Sequence, residues 1–106
     1  MSPELSVEDI RAAVREWAAG EPLLTEVHLF GSFARGEAGA GSDVDLAIVT
    51  QADGRLGPFS TYSTIKSEAV PRLEARLGRT VQIEPLQFAV DVVAPAVARD
   101  GIQLWP

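Results

Sequence analysis

From Val7 to Ala19 the apolar residues Val7, Ile10, Val14 and Trp17 recur at helical spacing and predict an amphipathic helix. Ser6 stands where an N-cap belongs, with Asp9 three residues on as the acidic partner of a capping box. Gly20 and Pro22 close this helix. The pattern then becomes strand-like over Thr25 to Phe30. Gly31-Ser32 ends that strand, and Phe33 to Arg35 leave room for only a brief helical turn before Gly36. Glu37 to Ser42 (EAGAGS) reads as a loop. Asp43 to Thr50 alternates as a second strand, with Val44, Leu46 and Ile48 on one face and Asp45, Ala47 and Val49 on the other.

Gln51 to Ser60 reads as a loop carrying Asp53-Gly54 and Gly57-Pro58. Thr61 to Leu77 returns to helical spacing through Ile65, Ala69, Leu73 and Leu77, with Pro71 expected to kink or split it. Gly78 is placed as its C-cap. Arg79 to Glu84 predicts a third strand stopped by Pro85. Phe88 to Asp100 predicts helix in pieces around Pro95, and Ile102 to Trp105 a short terminal strand. This order predicts an α/β (α+β) fold, a small sheet with helices packed on it. No repeat or linker interrupts it, so residues 1–106 read as one domain.

Composition narrows the chemistry. At 46% hydrophobic residues the chain has the material for a core, which argues against wholesale disorder. It has no cysteine and one histidine, His28, which excludes a disulfide scaffold, a cysteine nucleophile and a multi-histidine metal site. Nine basic against 15 acidic residues leave a net charge of −6, which argues against a non-specific grip on nucleic acid. The same balance suits cation binding or a basic partner. Glu4, Glu8 and Asp9 stand where a signal peptide needs basic and apolar residues, and no apolar run approaches a membrane span. A cytoplasmic protein with no membrane partner is expected.

One stretch carries chemistry. Gly31-Ser32 is followed by the ten residues Phe33 to Ser42 and then by Asp43-Val44-Asp45. A glycine directly after a strand lets the backbone turn sharply and approach a ligand closely. Ser32 opens the short helical turn, where free N–H groups favour a phosphate. Asp43 and Asp45, two apart on a strand, project from one face and repel each other unless a cation lies between them. Hard oxygen ligands with phosphate completing the shell are what Mg²⁺ prefers. Alone, a D-x-D pair is more often a solvated strand edge and a G-S pair a turn; the combination at this spacing is what points to phosphate and metal.

The segment HLFGSFARGEAGAGSDVDLAIV resembles the minimal nucleotidyltransferases of the DNA polymerase beta-like superfamily. It matches at Gly31, Ser32, Ala34, Arg35, Gly36, Ala38, Ser42, Asp43, Asp45 and Leu46. The resemblance covers roughly Val27 to Leu86 and implies a small mixed sheet, carrying the D-x-D and flanked by helices. It implies transfer of a nucleoside monophosphate from ATP or another nucleoside triphosphate to an acceptor hydroxyl, with release of pyrophosphate. Asp43 and Asp45 would hold two Mg²⁺ ions, and Gly31 and Ser32 the distal phosphates. Arg35 would contact phosphate or an acidic group, or be solvated. Ser42 would touch a phosphate or cap the loop, of which capping is favoured.

Members of the family place a third carboxylate on the next strand. Here Gly78-Arg79-Thr80-Val81-Gln82-Ile83 follows the pattern, but Gln82 holds the acidic position. An amide accepts no proton at neutral pH and is a poor Mg²⁺ ligand. Glu84 lies on the same face, about 6–7 Å along the strand. It is the candidate replacement if its side chain reaches back past the constraint of Pro85, and otherwise a strand-end surface carboxylate, the reading favoured. His28 reads as structural, Trp17 and Trp105 as core or interface, and Arg72, Arg76 and Arg79 as a basic cluster with no ligand.

Short chains of this family resemble the antitoxin of a two-gene system whose toxin is a helical HEPN ribonuclease, some adding AMP to that toxin. The length leaves no room for an acceptor-binding second domain, so a partner protein is expected as substrate. Gln82 keeps a different reading open: a catalytically weakened or inactive module that neutralises its partner by contact. Transfer to a small molecule or a nucleic-acid end is the third.

Overall fold

The computed structural model describes residues 5–52, 54–55 and 57–106; Asp53 of the expected Asp53-Gly54 turn and Glu4 of the acidic N-terminus lie outside the described residues. The elements are α1 (Val7–Ala19), β1 (Leu24–Phe30), α2 (Ser32–Arg35), β2 (Val44–Thr50), α3 (Pro58–Leu77), β3 (Val81–Pro85), α4 (Val93–Asp100) and β4 (Ile102–Trp105). The capping box at α1 is complete. The Ser6 hydroxyl accepts the Asp9 N–H at 3.1 Å, and the Asp9 carboxylate accepts the Ser6 N–H at 3.0 Å.

The strands form one mixed sheet in the order β3-β2-β1-β4. β1 runs antiparallel to both β2 and β4, and β2 runs parallel to β3. Alternation gives the sheet an apolar inner face. Val27 and Leu29 of β1, Leu46 and Ile48 of β2, Ile83 of β3 and Leu104 of β4 are all buried. Ile10, Val14 and Trp17 of α1 and Tyr62, Ile65 and Leu73 of α3 close over them. Each such aliphatic side chain removed from water contributes about 1.5–3 kcal/mol, so the strand frame under the site is held from this side. The buried Tyr62 hydroxyl donates to the Ile83 carbonyl at 2.7 Å, tying α3 to β3.

The opposite face carries Glu26, His28 and Phe30 of β1, Asp45, Ala47 and Val49 of β2, and Gln82 and Glu84 of β3. α4 packs on β1. Val93 of α4 and Ala47 of β2 are buried yet stand outside the main core cluster. His28 is half-buried, its Nε2 2.8 Å from the Glu26 carboxylate, in agreement with a structural role.

Several elements differ from the sequence expectation: β1 opens at Leu24 rather than Thr25, β3 runs Val81–Pro85 rather than Arg79 to Glu84, and α4 is confined to Val93–Asp100. α3 starts at Pro58 rather than Thr61, because Gly57 is the N-cap and Pro58 occupies the first turn, where its missing N–H costs nothing. α3 also continues through Pro71 as one helix of 20 residues. Pro71 lies on the exposed side, where water can take the carbonyl its ring leaves unpaired. Asp43 precedes β2 instead of opening it. Among the described residues no helix is long and apolar enough to cross a membrane.

Candidate active site

The turn after β1 brings Gly31 onto the Asp45 carboxylate. Gly31 has φ 75°, a left-handed conformation that side-chain-bearing residues rarely adopt. A Cβ built on Gly31 would overlap the Asp45 carboxylate and would also lie 3.1 Å from its Cγ. Glycine is therefore required twice, by conformation and by space. Its carbonyl accepts the Arg35 N–H at 3.1 Å, and the Ser32 carbonyl accepts the Glu37 N–H at 2.9 Å, closing α2 as a single tight turn. Phe33 of that turn is buried and anchors it to the core.

Asp45 is half-buried on the outer face of β2, and Asp43 is exposed just before the strand. Burial pushes the Asp45 carboxyl above its ordinary value. The negative charges of Asp43 and then Glu84 add to the push, and the Arg35 guanidinium opposes it. Arg35 is exposed and pairs with Glu37 at 3.1 Å. Ser42 caps the loop: its hydroxyl accepts the Gly39 N–H at 2.8 Å.

The parallel register puts Gln82 directly beside Asp45, and Glu84 one pair further along, beside Ala47. Gln82 is exposed and Glu84 half-buried. The amide thus stands at the point of the sheet nearest the carboxylate pair, while Glu84 reaches Asp45 through its charge. Among the described residues no three His, Asp or Glu side chains form a ready metal-ligand group. The structure therefore brings together Gly31, Asp43, Asp45, Arg35 and Glu84, and leaves Ser42 to the loop.

Arg79 is a residue that the sequence pattern did not single out for the site. Its Nη1 donates to the carbonyls of Gly39 at 3.0 Å and Ser42 at 3.2 Å, and its guanidinium lies 5.6 Å from the Phe33 ring centroid. The local signals were its place directly after Gly78, the left-handed C-cap of α3, and its match to the family segment over Gly78 to Ile83.

Comparison with known proteins agrees with this geometry. The chain superposes with a TM-score of 0.68 on a chain of a toxin–antitoxin structure with AMP-PNP, 26% identical over 95% of this chain and 73% of that one. A candidate minimal nucleotidyltransferase, 25% identical, gives a TM-score of 0.66 over 95% of this chain and 98% of its own. A chain of the complex between tri-AMPylated Shewanella oneidensis HEPN toxin and its MNT antitoxin gives 0.62 at 22% identity, over 90% and 68%. At that identity the likeness is one of fold. No curated protein matches in sequence. The Gly31-to-Asp45 turn, strands β1 to β3, α3 and all but the first residue of α1 fall within residues 8–98, which match the nucleotidyltransferase domain model; the chain belongs to that family.

Proposed function

We propose that the protein is a Mg²⁺-dependent nucleotidyltransferase that moves AMP from ATP to a hydroxyl of a partner protein. In this reading the partner is a helical HEPN-type toxin, the protein acts as its antitoxin, and the reaction takes place in the cytoplasm. One observation carries it: Gly31 is packed against Asp45, so the phosphate turn and the carboxylates meet at one point. The HEPN complex with an AMPylated toxin and the AMP-PNP complex among the similar structures support the choice of partner and nucleotide.

The residues present fit a divalent cation. Asp43 and Asp45 supply hard oxygen donors whose mutual repulsion a cation relieves, and the missing Cβ of Gly31 leaves the Asp45 carboxylate accessible. Bound there, Mg²⁺ would neutralise phosphate charge and polarise the α-phosphate. The chain's own part is positioning and charge. Gly31 and Ser32 hold the distal phosphates through the close approach of the turn. Arg35 offers a guanidinium at the mouth of the same turn. The acceptor oxygen forms its bond to the α-phosphorus, the bond from that phosphorus to the bridging oxygen breaks, and pyrophosphate leaves. Glu84, half-buried and within electrostatic reach of Asp45, takes the hydroxyl proton in place of the carboxylate that Gln82 replaces.

Mixing the protein with a HEPN-type partner and Mg-ATP should raise the partner's intact mass by whole AMP units. An unchanged mass with every nucleoside triphosphate tried would overturn the transferase reading. Gln82 beside Asp45 favours the second reading, neutralisation by contact without chemistry. Gln82→Asp separates the two. It restores a carboxylate next to Asp45 and is expected to raise the transfer rate by about 10- to 100-fold, within the range of a positioned general base. It should also lower metal-free stability, because a third negative charge joins Asp43 and Asp45. A contact-only protein would show no transfer in either form.

A further inference from the structure

The loop from Glu37 to Ser42 delivers Asp43, yet it lies outside every strand and helix and is rich in glycine and alanine. Its order comes from a few backbone turns and from side chains. Within the loop the Gly39 N–H reaches the Ser42 hydroxyl, and the Ser42 N–H reaches the Gly39 carbonyl at 3.2 Å. Among the described residues, Arg35 of α2 pairs with Glu37 at the start of the loop, and Arg79 is the side chain from a distant element that joins the Gly39–Ser42 turn. Arg79 sends both N–H groups of Nη1 to the Gly39 and Ser42 carbonyls, the second being the peptide group that leads into Asp43.

The base of Arg79 is itself fixed. Gly78 ends α3 in a left-handed turn, and the Thr80 carbonyl accepts the Val44 N–H at 2.8 Å. Its guanidinium stacks near Phe33, the buried residue of the phosphate turn. One planar group thus touches the turn that carries Ser32 and the loop that carries Asp43. The cation acting on the Asp45 carboxyl is Arg35, so the contacts of Arg79 are to backbone and ring instead of to the acids.

We propose that Arg79 is a positioning residue, which sets Asp43 by tying the Gly39 and Ser42 carbonyls to the phosphate turn. The role of Asp43 as a cation ligand rests on the transferase reading; the tether does not. Loss of the tether lets the loop sample conformations in which the two carboxylates no longer share a cation.

Arg79→Met keeps an apolar stem against Phe33 and removes both donors. Hydrogen exchange of the amides in residues 37–43 should speed up by about tenfold or more, with core strand amides and the melting temperature little changed. Mn²⁺ affinity, read by electron paramagnetic resonance, should fall about tenfold, as for loss of other outer-shell partners of a metal site. A merely electrostatic role has the opposite sign: deleting a positive charge beside acidic residues strengthens cation binding. Unchanged loop exchange, or a rise in Mn²⁺ affinity, would overturn the proposal. Wild-type protein that transfers no AMP would overturn the transferase reading instead, while loop exchange still decides the role of Arg79.

Discussion

Asp45→Asn is expected to reduce AMP transfer by a factor on the order of 10³ or more, and to make the metal-free protein more stable at neutral pH. In the proposed reading the activity loss follows from replacing a hard anionic cation ligand beside the Gly31-Ser32 turn by a neutral amide. The stability gain follows from the raised pKa of Asp45 in the folded state, caused first by burial and then by Asp43 and Glu84. A carboxyl held above its ordinary 3.8 binds its proton more tightly folded than unfolded. Its contribution to stability is therefore fully present below the unfolded value and is lost as pH rises through the folded one. Asparagine carries no charge to lose. Denaturant midpoints of the two proteins should agree at low pH and separate, in favour of the variant, as pH rises towards neutrality. Mg²⁺ should reverse the order by stabilising only the wild type. A variant that is less stable at neutral pH without metal would contradict the electrostatic description of the site.

Gly31→Ala should damage both fold and site. Gly31 at φ 75° and ψ −154° occupies a region essentially confined to glycine, which costs a side-chain-bearing residue about 1–3 kcal/mol, and the new methyl group runs into the Asp45 carboxylate. A melting temperature lower by several degrees is expected, since about 1 kcal/mol moves a domain of this size by about 4–8 °C. Transfer should fall by at least 10²-fold, because the turn can no longer lie against Asp45. The collision has a specific signature. Adding Asp45→Gly to Gly31→Ala should recover part of the lost stability and none of the activity. Strict additivity of the two stability changes would show that Gly31 and Asp45 do not touch in the way described.

Local chemistry made much of this legible. The Ser6–Asp9 capping box and the stripe Val7, Ile10, Val14 and Trp17 are short-range signals, and α1 has the expected bounds. The Gly31-Ser32 turn and the alternation of β2 are equally local. Gly57-Pro58 was read as part of a loop, because the same dipeptide serves a turn or a helix first turn; packing of Thr61, Tyr62 and Ile65 decides for the helix. What no local pattern encodes is which strands are neighbours. That Gln82 stands beside Asp45 follows from the parallel pairing of β2 with β3, a long-range choice that only the family resemblance anticipated. Arg79 was read as one of a basic cluster, whereas Arg76 of that cluster pairs with Glu16 and Arg79 turns to a loop some 40 positions earlier in the chain. Contacts over such separations depend on the finished fold.

The proposed transfer makes one central demand, that the bond broken in ATP lies on the far side of the α-phosphate. Parallel reactions with α-labelled and γ-labelled ATP, the HEPN-type partner and Mg²⁺ address it directly. The expected result is label on the partner from α-labelled ATP alone, with pyrophosphate released in equal amount and no label when Asp45→Asn replaces the wild type. Label from the γ position, or equal labelling by the Asp45→Asn protein, would contradict nucleotidyl transfer at Gly31, Asp43 and Asp45.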